Sequence, residues 1–178
     1  GNNGYYLNIA SDAIKDLAGN SYAGLSSTTT WNFTTETLNN WYNGNWLYRV
    51  KITIENSKVN GDIANFPIYL NMAHFSSTNL FNLSKSDGSD IRVTKINGTT
   101  EVAREIAYFN ATTNAGELYF VANGTLSGTY NGSYYMYFGN AGASEPTANG
   151  TYAKEKVWVN SYLSVWHFTA DSSVTNRD

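Results

Sequence analysis

The sequence predicts an all-β protein, an antiparallel β-sandwich or jelly roll. Three observations carry that expectation. Charged residues make up only 14% of the 178 positions, and the polar surface falls to Asn, Ser, Thr and Gly. That mix, with 14 Tyr, suits pleated, half-buried strands and disfavours long helices. Several segments alternate apolar and polar residues with period two. These segments recur at near-regular spacing and are separated by turn pairs such as Asn97-Gly98 and Asn131-Gly132.

The elements follow in chain order. Residues 1–35 carry two strand signals, with Tyr5, Leu7 and Ile9 on one and Trp31 and Phe33 on the other. Asp16 and the Gly19-Asn20 pair mark the turn between them, where Asp16 and Asn20 shape the backbone. Two strands cannot bury an apolar face alone. Tyr5, Leu7, Ile9, Trp31 and Phe33 are therefore the candidates for assembly with strands from elsewhere. Those strands belong either to a longer modular chain, of which this is a window, or to a neighbouring subunit that donates them. Residues 36–45 are polar and turn-rich and read as a linker.

A sandwich domain is expected over 46–156. Its clearest strand is Trp46–Ile54, with Trp46, Tyr48, Val50, Ile52 and Ile54 on one face. A second places Phe66, Ile68, Leu70 and Met72 on one face, and Pro67 marks an edge or a strand start. A short helical turn over 74–83 with Ser76 or Ser77 as N-cap comes next. Strands at 86–96, 101–109, 117–122 and 134–139 complete the domain, and 157–178 reads as a closing strand and the start of a further domain.

Two stretches carry a resemblance. Residues 5–35, with Asp16, Gly19 and Asn20 in a D-x-x-G-N turn and a W-x-F-T-T strand at Trp31–Thr35, resemble the C-terminal end of bacterial Ig-like domains of the surface-layer type. The resemblance implies an incomplete Ig-like segment at the N-terminus. Residues 46–143 resemble the family called domain of unknown function 2341. The motifs are Trp46–Ile54, Asn65-Phe66-Pro67, Asp90-Ile91-Arg92, and Tyr135, Tyr137, Gly139 and Asn140. Val165-Trp166-His167-Phe168 is similar to the opening strand of laminin-G or concanavalin-like domains that often follow it.

Chemistry-bearing patterns are sparse. With no Cys, neither disulfides nor thiolate metal sites arise. The net charge of −3, without a basic cluster, argues against nucleic acid and anionic membranes as partners. No apolar run is long enough to span a bilayer. His74 and His167 have no converging ligands in the sequence, and His167 reads as a hydrogen-bonded residue of an apolar strand. Glu101 and Glu105 share a strand face at a spacing too wide for a glycosidase pair, with Arg104 nearby. No nucleophile elbow, phosphate loop or HExxH motif occurs, so the chain reads as non-enzymatic. Asp87 and Asp90 flank a Gly turn and are the calcium candidates, against an Asx-stabilised turn. Asp171, Asn176 and Asp178 form a second oxygen-rich stretch. No other cofactor is implied. Trp41 and Tyr42 are the aromatic candidates for stacking on a sugar.

Glycosylation sequons occur at Asn32, Asn82, Asn97, Asn110, Asn123, Asn131 and Asn149. Composition alone yields roughly five, so seven is a mild excess. The leading expectation is a non-catalytic, extracellular, cell-surface module of a large adhesive or filament-forming glycoprotein. Its partners would be other copies of itself or neighbouring domains. The alternative is a carbohydrate-binding module that takes glycans through Trp41 and Tyr42.

Overall fold

The computed structural model describes residues 4–34 and 40–167. The chain divides into two units, Gly1–Asn40 and Trp41–Asp178.

The first unit is a long antiparallel hairpin. Strands β1 (Gly4–Tyr6) and β2 (Asn32–Thr34) pair with Tyr5 opposite Phe33. Single bridges Ile9↔Leu25 and Lys15↔Ser21 extend the pairing toward the turn. There Asp16 Oδ1 accepts from the N–H of Ala18 and Asn20, and Oδ2 accepts from the Asn20 amide. The Asn20 bonds hold the Asp16 carboxyl below its ordinary value. Gly19 sits at φ +86°, where a side chain would be strained. Among the described residues of this unit none is buried.

The second unit is an antiparallel β-sandwich. One sheet has the order β3 (Tyr48–Ile54), β11 (Gly132–Phe138), β6 (Arg92–Lys95), β7 (Glu101–Val102). The other has β5 (Pro67–Asn71), β9 (Ala115–Val121), β8 (Arg104–Asn110). A small pair, β4 (Ile63–Ala64) with β10 (Thr125–Leu126), flanks them. Alternation builds the core: Tyr134, Met136 and Phe138 from β11 meet Leu118 and Phe120 from β9, joined by Ile52, Val93 and Ile68. Tyr134 is tolerated inside because its hydroxyl donates to the Ala122 carbonyl at 2.8 Å, and burial pushes its pKa up to about 12. Pro67 opens the edge strand β5, where no ladder donor is lost.

Four expectations need correction. Residues 101–109 are two strands in two sheets. The chain leaves β6 after Val102 and joins β9 at Arg104, with Ala103 as the buried crossing point. The helical turn is a 3-10 segment, Met72–Thr78, capped by the Asn71 side chain rather than by Ser76 or Ser77. It is followed by one α turn, α1 (Leu80–Leu83). Phe66 is exposed, because Asn65 at φ +49° turns the chain just before β5. The expected closing strand is absent over 157–167. Val157 is fully buried, but the following residues contact the sandwich through side chains. Trp158 and the ring of His167 pack on Tyr119, and the Asn160 amide donates to the carbonyls of Ala64 and Asn65. Asp171, Asn176, Asp178 and Phe168 lie outside the described residues.

Residues 41–45, expected in the linker, belong to the second unit. Trp41 and Tyr42 are half-buried against Trp46, Tyr137 and Tyr135. A chain beginning at Trp41 should unfold in urea like the parent sandwich. One beginning at Trp46 should lose about 2–4 kcal/mol, since two large rings leave the sheet. Equal midpoints for the two chains would contradict this placement.

Candidate functional site

The outer face of the four-stranded sheet carries the densest aromatic and charged cluster. β-strand alternation places Arg49, Tyr135, Tyr137 and Arg92 there, opposite the core residues. The Arg49 guanidinium lies 4.0 Å from the Tyr135 ring centre and 4.7 Å from that of Trp41, and it donates to the Tyr137 hydroxyl at 2.9 Å. Trp41 Nε1 donates to the Trp46 carbonyl at 2.7 Å, and Trp46 Nε1 to the Asp90 carbonyl at 2.6 Å. The Tyr42 ring meets Trp46 edge-on at 4.9 Å, and its hydroxyl donates to Glu101. Trp41 and Tyr42 thus cover the sheet with their rings and spend their polar ends inside the chain. Both rings are half-buried in this packing.

Beneath this layer lies a buried charge network. Arg92 Nε is 3.3 Å from Glu101 Oε1, and both side chains are buried. Burial pushes the Glu101 carboxyl up, against the pull of the Tyr42 hydrogen bond and of Arg92. Burial also pushes Arg92 down, so desolvation outweighs the attraction on both partners. Tyr42 is raised, first by burial and then by Glu101. Arg104 is fully buried: its Nε donates to the Ile91 carbonyl at 2.9 Å, and its guanidinium pairs with Glu145.

Asp87 and Asp90 are not gathered as a cation site. Asp90 is fully buried, and its carboxylate accepts from the backbone N–H of Lys85, Gly139 and Asn140 at 2.9, 2.7 and 3.1 Å. A calcium ion would have to displace those donors. Asp87 accepts from the Ser89 N–H at 2.9 Å, a bond that holds its carboxyl below its ordinary value. This is the Asx-type turn. Among the described residues no three of His, Cys, Asp and Glu converge.

Glu101 and Glu105 also part company. Glu101 belongs to β7, whereas Glu105 on β8 accepts from Trp158 Nε1 at 2.6 Å and lies 3.1 Å from His167 Nε2. His167 is hydrogen-bonded as expected, although in an irregular segment. His74 is exposed.

The assembly candidates lie together on the hairpin. Leu7, Ile9, Leu25 and Trp31 line one open groove with Ile14 and Tyr22. Tyr5 stacks on Phe33 at 5.3 Å. Tyr5, Leu7, Trp31 and Phe33 are exposed, and Ile9 is half-buried. Of the sequon residues, Asn32, Asn82, Asn97, Asn123, Asn131 and Asn149 are exposed. Asn110 is half-buried, and its Oδ1 accepts from the N–H of Thr112 and Thr113.

The sandwich also holds a cleft of about 480 Å³ that the sequence does not announce. Its polar lining comes from Asn65, Glu101, Asn123, Thr151, Tyr152 and Lys156, over Ala103, Val121 and Val159. Asn65, Glu101, Asn123 and Thr151 each belong to a pattern visible in the sequence, but those patterns do not point to one another.

Comparisons with protein-family models, with curated proteins and with solved structures return no match. The functional reading therefore rests on the geometry and on the sequence motifs.

Three outcomes follow. Asp90→Ala should destabilise the sandwich by about 3–5 kcal/mol, since it leaves three backbone donors uncompensated in a buried site. Excess calcium or a chelator should leave the parent's melting temperature unchanged, and a calcium-dependent rise would restore the metal site. The raised Glu101 value sets a pH effect. Between the unfolded value of 4.5 and the higher folded value, the folded chain binds more protons. Stability should therefore fall as pH climbs through that window, and Glu101→Gln should flatten that slope in denaturant titrations at stepped pH.

Proposed function

We propose that this chain is a non-catalytic, extracellular β-sandwich module of a large cell-surface or filament-forming glycoprotein, and that its hairpin joins it to neighbouring units by strand complementation. The hairpin carries the reading. Over its described residues it presents Tyr5, Leu7, Trp31 and Phe33 to solvent and buries nothing. An isolated hairpin of this kind is marginal in water, so its apolar face calls for further strands. Strands added at a sheet edge supply main-chain hydrogen bonds, and side-chain pockets supply register. The D-x-x-G-N turn and the W-x-F-T-T strand support an Ig-like origin for this segment. Six exposed sequon residues support an exported glycoprotein, and the sandwich supplies a separate, self-sufficient core.

The test is the mass of the particle in solution. The full chain should form oligomers by light scattering. A chain lacking residues 1–40 should be a folded monomer, and Leu7→Asp with Phe33→Asp should act likewise. Oligomers that survive the deletion would sink strand complementation, as would a full chain that stays monomeric at high concentration.

A further inference from the structure

The cleft of the sandwich is lined by the exposed side chains of Asn123, Thr151, Tyr152 and Lys156, together with Asn65 and Glu101. Among the described residues, the side chains of Asn123, Thr151, Tyr152 and Lys156 make no hydrogen bond within the chain. Asn65 spends its Oδ1 on the Gly124 N–H at 3.0 Å, and its amide nitrogen remains available. Glu101 is 5% exposed, and its Oε1 accepts no hydrogen bond despite the nearby Arg92. Arg92 Nε stands 3.3 Å from that oxygen and the Tyr42 hydroxyl bonds the other, so Glu101 serves the cleft as a buried wall. Behind the polar groups, Ala103, Val121 and Val159 give apolar surface.

The ligand must match amides, hydroxyls and one ammonium at the rim with an apolar floor. Its volume falls in the range of small-molecule sites. A strongly anionic ligand is a poor match, because Lys156 is the sole cation among the lining residues and Glu101 adds a like charge. A flat apolar ligand would strand the amides. A pyranose fits, since its ring hydroxyls both donate and accept while its axial C–H face is apolar. We propose that this cleft binds one neutral pyranose unit. Asn65, Asn123, Thr151 and Lys156 meet its hydroxyls, and Tyr152 closes against the ring. This inference stands apart from the assembly role of the hairpin, and either can fail alone. It also places sugar recognition at residues other than Trp41 and Tyr42.

The test uses the full chain produced in a bacterial cytoplasm, so that Asn123 carries no glycan. Amide NMR shifts are followed during titration with the methyl glycosides of glucose, galactose, mannose and N-acetylglucosamine. At least one should give saturable shifts at 123–125 and 151–153, with a Kd on the order of 0.1–10 mM, as expected for so small a ligand. Tyr152→Ala and Thr151→Val should each weaken binding tenfold or more with the melting temperature unchanged. Tyr69→Ala, which removes an exposed ring outside the cleft, should leave it intact. No saturable shift with any glycoside at about 50 mM would overturn the proposal, given the expected affinity range. So would binding that is indifferent to both cleft variants.

Discussion

The sandwich depends on one buried carboxylate. Asp90 sits without solvent contact where two loops meet, and its oxygens accept three backbone N–H groups, from Lys85 on one loop and from Gly139 and Asn140 on the other. Its own carbonyl takes the Trp46 indole. The same corner is bracketed by two guanidiniums. Arg92 donates to the carbonyls of Ser89, Ile91 and Ser144, and Arg104 donates to those of Ile91 and Ser89. Each half of the knot needs the other. The arginines satisfy carbonyls that the turn leaves without ladder partners, and the carboxylate satisfies N–H groups at the end of β11. Gly139 is part of the constraint. At φ +84°, any Cβ would stand 2.5 Å from Tyr48 Cδ2.

The aromatic richness follows from this corner. Because Trp46 is pinned to Asp90, its ring spreads over the outer face of the sheet, and Tyr42, Trp41 and Tyr137 pack around it. Arg49 enters this layer as a cation against ring faces, so a charged strand residue becomes part of the packing. The sheet thereby has a hydrophobic core on one side and an aromatic–arginine cover on the other. The cover is polar enough to leave Arg92 and Glu101 paired beneath it. It is dry enough that burial biases both toward their neutral forms. Such a pair adds little net stability over an apolar substitute. It ties β6 to β7, since Arg92 and Glu101 come from adjacent strands of the same sheet.

The strands were legible where period two holds and one face is dry. Ile52, Ile68, Leu118, Phe120 and Met136 lie in the core as alternation requires. Alternation does not record a change of sheet. The run from Glu101 to Phe109 keeps its pattern through Ala103 while its partner changes from β6 to β9. Segments that pack by side chains alone have no period at all. Residues 41–45 resembled a linker and 157–167 resembled a strand for that reason. Asp90 read as a calcium candidate and Arg104 as a neighbour of Glu101 and Glu105, because most of their partners are backbone groups, and backbone groups leave no mark in sequence. The cleft was hidden more deeply, since its lining is drawn from stretches near 65, 101, 123 and 151–159.

The hairpin poses the opposite problem, because its sequence pattern is clear and its burial is missing. Full burial of a large apolar side chain contributes about 1.5–3 kcal/mol. Tyr5, Leu7, Trp31 and Phe33 are already about half covered, so covering the rest would yield on the order of 3–7 kcal/mol before any cost. Association of two free chains costs roughly 4–15 kcal/mol in lost translation and rotation. Side-chain burial alone thus offsets only the lower end of that cost, and a free neighbour would need the added ladder of main-chain hydrogen bonds to hold. A strand tethered on the same polypeptide avoids most of the cost, because its effective concentration is set by the tether. The balance is close enough for either source of strands to serve. It also explains why the contact would be made through backbone pairing: on this small face, the ladder is the term that turns a marginal apolar contact into a stable joint.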